Sequence, residues 1–189
     1  MSDEIRIVDT TGNMFPLAFV TVGMNLILLN LANAGYYPLD SMILAMCLFC
    51  GGFGQFFAGT WAWRKGISFA ATALTMYGLF FLTLFGLIVF PGFGIGKAPT
   101  AIAMGAFMIV WGIFTVFMFI GTLKLYKALQ VVFGLLAVLY FLLGAGSLTG
   151  NASISSLAAW EGIATGVAAL YFGVANVLND VYGKQVMPI

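Results

Sequence analysis

Six apolar stretches alternate with short polar punctuation along the chain. The first covers 15–34 and stops at Gly35, where Tyr36, Tyr37 and Pro38 form a turn. The second covers 39–63, opening on Leu39-Asp40-Ser41 as a cap and ending before Arg64-Lys65-Gly66. The third covers 69–91 and leads through Pro91 into a glycine-rich loop. The fourth covers 99–123, with Pro99 suited to a first helical turn. A tight connection carrying Lys124 and Lys127 leads to the fifth, 126–147. Gly150-Asn151 then turns the chain into the sixth, 153–180, which is longer than a bilayer needs and predicts tilt, kinking or emergence. Only helices and closed barrels satisfy every backbone group in lipid, and these runs lack the alternation of barrel strands. The pattern therefore predicts an all-α polytopic membrane protein. One six-transmembrane-helix bundle over 15–182 is expected, between an N-terminal segment 1–14 and a tail 183–189.

Composition narrows the class. Of 189 residues, 62% are hydrophobic and 7% charged, against about 25% charged in a soluble domain. Six spans of about 20 residues each use most of the chain, leaving no room for a second, soluble domain. A cytosolic enzyme and a disulfide-stapled module fit poorly, and a net charge of +1 offers nucleic acid no footprint. The polar, acidic start MSDEIRIVDTTGNM lacks the basic region of a secretory signal, so no cleaved signal is expected. Cys47 and Cys50 lie within an apolar run and read as packing residues, not as a redox or zinc pair. With six spans, Arg6, Arg64, Lys65, Lys124, Lys127 and Lys184 share one side, and Lys97 alone lies on the other. This asymmetry predicts that both termini are cytoplasmic.

Function then has to reside in the spans. Asn25, Asn30 and Asn33 lie on the first, with Asn30 and Asn33 about 60° apart on one face. Gln55 lies on the second, Thr72, Thr75 and Tyr77 on the third, and Gln130 and Tyr140 on the fifth. These neutral groups either tie helices together or form a narrow hydrogen-bonding path for a small polar solute. Glu161 is the one clear acid within a span. It is a candidate proton acceptor, a subunit anchor, a partner of Lys97 or a solvated interfacial group. Asp40 reads as a helix-start residue. Small-residue stripes at Gly51, Gln55 and Gly59, at Gly162 and Gly166, and at Gly146 and Gly150 permit close helix approach, within one chain or between subunits. The chain has no histidine and no visible nucleophile–base pair, so no catalytic residue, metal site or cofactor is expected. A channel for a neutral solute such as urea or an amide, and a membrane subunit without flux of its own, stand beside a transporter as readings.

Longer strings sharpen the choice. Asn13-Met14-Phe15-Pro16-Leu17-Ala18-Phe19 resembles the Asn-Pro-Ala-Pro-Leu-Gly-Leu motif of the acetate uptake transporter family. GMNLILLNLANAGYYPLDSMILAM, GGFGQFFAG, RKGISFAATALTMYG, WGIFTVFMFIGTLK and NVLNDVYGK resemble that family over nearly the whole chain. The resemblance implies a homo-hexamer in a cell (inner) membrane with a separate path through each protomer. It implies transport of acetate and related short carboxylates such as succinate, either by proton symport or as a channel. The family's constricting tyrosine and leucine match Tyr77 and Leu136, while its phenylalanine falls on Val22, a departure that either loosens the constriction or leaves a neighbour such as Phe19 to fill it. Its polar path residues fall on Asn25, commonly threonine in the family, and Gln55, and its motif asparagine matches Asn13, while the motif's first proline and its glycine are replaced.

Overall fold

A computed structural model describes residues 11–189. Most of the expected segment 1–14, including Arg6, lies outside the described residues. Among the described residues there are six helices long and apolar enough to cross a membrane: α1 Phe15–Asn33, α2 Ser41–Arg64, α3 Ser68–Phe93, α4 Ala101–Thr122, α5 Lys127–Thr149 and α6 Ala152–Tyr182.

Local chemistry sets their ends. Asn13 Oδ1 accepts the backbone N–H of Phe15 at 3.0 Å, and Pro16 occupies the first turn of α1, where no N–H is needed. Asp40 caps α2 by accepting the N–H of Met42 at 3.0 Å, in keeping with its expected role at the helix start. Thr100 caps α4 by accepting from Ala103 N–H at 3.2 Å, so Pro99 lies just before the helix and not in its first turn. Asn151 caps α6 by accepting from Ser153 at 2.9 Å. Gly150 closes α5 in the left-handed region at φ 64°, so it belongs to the turn and not to a packing stripe with Gly146. Tyr37 ties the first loop back onto α1 by donating to the Leu28 carbonyl at 2.7 Å. Partial burial, with Asp40 beside it, raises the Tyr37 phenol above its usual pKa.

Among the described helices, α3 closes on a 3-10 turn at Phe90–Phe93, and two others depart further from a plain α-helix of bilayer length. The middle of α2, Met46–Gly54, winds as a π-helix. Gly51, Gly52 and Gly54 lie in this wide segment, so the stripe expected for a regular helix is redistributed. A Cβ on Gly54 would meet Thr21 of α1 at 3.0 Å, and one on Gly52 would meet Leu82 of α3 at 2.5 Å. The second departure is length. At 31 residues, α6 extends about 46 Å, beyond the roughly 30 Å hydrocarbon core. After Gly183 the tail folds back on α6, where Asn179 Oδ1 accepts from Val186 and Met187 at 2.7 and 2.9 Å.

The helices close into a ring. α1 lies between α2 and α6, α5 between α6 and α4, and α3 packs on α2 with a slender contact to α4. Glycine makes the α1–α6 seam close: a Cβ on Gly23 would meet the Leu170 backbone at 2.5 Å, and one on Gly173 would meet Val20 N at 2.7 Å. Gly162 lies against Asn30, and Gly166 against Ile27. Gly59 likewise sits against Thr75 of α3. These glycine faces thus serve contacts within the chain.

Candidate solute path

Three cavities follow one another along the ring. At the end that holds Asn13 and Asp180, a cavity of about 480 Å³ is lined by Asn13, Phe15, Lys65, Tyr126, Asn176 and Asp180, among others. Next comes a core cavity of about 20 Å³, with Phe19, Val22, Gln55, Tyr77, Leu136 and Thr165 in its walls. Beyond it, a cavity of about 240 Å³ is lined by residues that include Asn30, Asn33, Leu84, Met104 and Leu143. Lining positions advance in order along α1, α3 and α5, so the three lie on one axis. The core has room for about one water.

Aromatic and aliphatic side chains separate the chambers. Between the first cavity and the core, the fully buried Phe172 ring stands edge-on to Phe19 at 4.7 Å and to Phe15 at 5.8 Å between centroids. Leu26, Phe81, Leu136 and Tyr140 line both the core and the third cavity, and so form the wall between them. Tyr77 packs within 5.8 Å of Phe133 and 5.7 Å of Phe114, which fixes its ring.

Polar groups in the core and the third cavity are few and neutral, and charged side chains enter only at the first. Tyr77 donates its hydroxyl hydrogen to Thr115 Oγ1 at 3.0 Å, and Thr115 in turn donates to the Trp111 carbonyl at 2.7 Å. Gln55 Nε2 leans on the Ala18 carbonyl at 3.5 Å, and its Oε1 has no hydrogen-bond partner. Asn33 donates to Asn30 Oδ1 at 3.1 Å, and Asn30 donates to the Leu26 carbonyl at 2.9 Å. Asn13 Nδ2 donates to Asn176 Oδ1 and to Asp180 Oδ2, each at 3.2 Å, joining the start of α1 to the end of α6. Among the described residues, no cluster of His, Cys, Asp or Glu could hold a metal ion.

The expected site residues divide into two groups. Val22, Gln55, Tyr77 and Leu136 come together in the core, with Phe19 beside Val22. Asn30 and Asn33 meet in the third cavity, and Asn13 stands in the first. Asn25 and Thr75 are placed otherwise and line none of these cavities. Asn25 is fully buried over Gly51 of the π-helical segment, beside the Cys47 thiol, and its amide makes no hydrogen bond. Thr75 is taken up by the close α2–α3 contact at Gly59. Gln130 lies in the first turn of α5 and donates back to the Leu125 carbonyl of the preceding turn at 3.2 Å. Glu161 is half-buried and accepts from Thr165 at 2.9 Å, and Lys97 is not its partner. Sequence reasoning missed Thr165, Phe81 and Asn176. The spacing of Glu161 and Thr165, one helical turn apart, was the legible signal for the first.

The family described as GPR1/FUN34/yaaH matches residues 5–186. The chain belongs to that family. It is 46% identical over 178 residues to the "Succinate-acetate/proton symporter SatP" of Escherichia coli (strain K12), covering 94% of this chain and 95% of the relative. It is 30% identical over 170 residues to the "Acetate transporter protein patA" of Aspergillus clavatus, covering 83% of this chain and 66% of that one. Among solved structures it resembles the one described as "Structure of the bacterial acetate channel SatP". That likeness has a TM-score of 0.94 at 46% identity over 95% of this chain and 99% of the other. These relatives are named as transporters or a channel, not as enzymes. With six apolar helices, the family member described here is a multi-pass membrane protein.

Proposed function

We propose that this protein carries acetate and related short carboxylates, succinate included, across a cell membrane through the axis of each chain, coupled to protons. The observation that carries the reading is the sequence of two chambers separated by a core lined by neutral hydrogen-bonding groups and apolar walls. The names of the relatives supply the solute class. No Lys or Arg side chain is among the residues lining the core or the third cavity, so a carboxylate there relies on neutral donors. Weak neutral sites also let solute leave, as conduction requires.

Val22, Tyr77 and Leu136 serve as the constriction in this reading, with Phe19 narrowing the side that Val22 leaves open. Asn13, Asn30, Asn33 and Gln55 offer hydrogen bonds along the path, and Glu161 takes up the coupled proton. Both termini face the cytoplasm, where Arg64 and Lys65 draw anions toward the first chamber. The chain assembles as a homo-hexamer, with one path in each copy, which native mass spectrometry would count.

Uptake of labelled acetate into proteoliposomes, with and without an inward proton gradient, tests the function. Acetate flux that grows with the gradient is expected. Absence of acetate flux under both conditions overturns the carboxylate reading, and flux indifferent to the gradient overturns proton coupling.

A further inference from the structure

Threonines in these spans mostly commit their hydroxyl hydrogen to the backbone. Thr21, Thr60, Thr115, Thr122 and Thr149 each donate to a carbonyl three or four residues earlier in the same helix, at 2.6–2.7 Å. A backbone carbonyl has no second protonation state, so those hydrogens stay where they are. Thr165 differs. Its hydroxyl donates to Glu161 Oε1 at 2.9 Å, one turn along α6, while the other carboxyl oxygen of Glu161 is buried without a partner. Thr165 is itself fully buried and lines the core cavity.

We propose that Thr165 is the residue that determines whether the core accepts a carboxylate, its hydroxyl being turned by the protonation of Glu161. This rests on the carboxylate reading above and adds the residue that links solute to proton. With Glu161 ionised, the carboxylate can only accept. It holds the Thr165 hydrogen along the helix, and oxygen lone pairs face the cavity and repel an anion. With Glu161 protonated, its O–H donates to Thr165 Oγ1, and the Thr165 hydrogen turns into the cavity to meet a solute carboxylate. One proton resides on Glu161 for each carboxylate bound, and it returns to water when the solute leaves.

The surroundings suit such a device. The hydroxyl hydrogen of Tyr77 is committed to Thr115 and one N–H of Gln55 is turned toward the Ala18 carbonyl, which leaves the second Gln55 N–H and the Tyr140 hydroxyl as the other donors in the core. The two helices packed on α6 bring little competing charge. α1 has no titratable side chain, and α5 has only Tyr140, which lines the same cavity, and Lys127 in its first turn at the Asn13 end. On α6 itself, Tyr171, Asp180 and Tyr182 lie further along toward that same end. At the other end, Tyr36 packs on Trp160 next to Glu161, with Tyr37 and Asp40 following in that loop. Lys97 stands in the exposed loop before α4.

The test is equilibrium binding of labelled acetate to the full chain in detergent, from about pH 6 to about pH 8, with acetamide as the uncharged probe. Wild type, Thr165→Val, Thr165→Ser and Glu161→Gln are compared at each pH, so that the ionisation of acetate in solution cancels. Wild-type affinity for acetate should fall relative to Glu161→Gln by on the order of ten-fold as pH rises, the worth of a hydrogen bond to a charged group. Thr165→Val should bind acetate about ten-fold more weakly than wild type at the acid end and lose this relative slope. Thr165→Ser should restore both, and acetamide binding should show no such slope. Should Thr165→Val fail to fold, the Ser and Gln variants decide alone. One pH profile shared by wild type, Thr165→Val and Glu161→Gln overturns the inference and leaves acetate transport standing. No acetate binding by wild type at any pH overturns the carboxylate reading itself.

Discussion

Where Asn13 meets α6, polar groups are plentiful and paired: its amide bridges Asn176 and Asp180 beside a chamber of about 480 Å³, with Lys65 in the wall. In the core, a cavity of about 20 Å³, polar atoms are few and each has either one committed bond or none. The wide chamber can lose one bond, because water replaces it at little net loss. The core cannot, because a buried group that loses its partner bears the full desolvation penalty. Under the proposed function, selectivity therefore belongs where hydrogen bonds are scarce, and capture where they are abundant.

Substitutions that change the core should act most strongly. Val22→Phe restores the ring that the resembled family carries at this position, but here Phe19 already stands beside it in a cavity with room for about one water. Acetate flux into proteoliposomes should drop at least about ten-fold while the protein still elutes as folded, since overpacking costs about 1–3 kcal/mol. Undiminished flux would mean that solute passes elsewhere. Leu136→Ala thins the wall between the core and the third cavity. Flux of a longer acid such as butyrate should rise several-fold relative to acetate in the same uptake assay, and an unchanged ratio would remove Leu136 from the constriction.

Smaller effects probe how polar groups are held. Tyr77→Phe removes the 3.0 Å bond to Thr115 and leaves the ring stack intact. A loss of about 1 kcal/mol in stability is expected, read as a lowered melting temperature. No shift would show that the bond contributes nothing to packing α3 against α4. Asp180→Asn at the wide chamber should alter flux less than about two-fold, because Asn176 still accepts from Asn13. A collapse of flux in this variant would reverse the division between capture and selection.

How much was legible in the residues differs between the fold and the path. The meeting of Tyr77 with Leu136 and Val22 followed from family resemblance, and the pairing of Asn30 with Asn33 from helical periodicity. Asn25 and Gln55 carried equal weight as polar residues in apolar runs, yet only Gln55 reaches the core. Periodicity alone could not separate them. The π-helical turns of α2 bring Gly51 beneath Asn25, and Asn25 fills the space a Cβ would take. Thr75 is a like case, its face decided by the absence of a side chain at Gly59 on another helix.

What the sequence by itself determined is the number of long apolar helices and the scarcity of charge within them. The physical reason is local: a long apolar run without the alternation of barrel strands satisfies its backbone in lipid as a helix, and caps such as Asp40 and Asn151 act within a few residues. Only the tertiary structure decided which side chains share the axis, because that depends on how closely two helices approach and on the turn geometry between them. Thr165 shows the division most clearly. Its spacing from Glu161 is written in the chain, but its place in the core wall exists only once α6 is packed between α1 and α5.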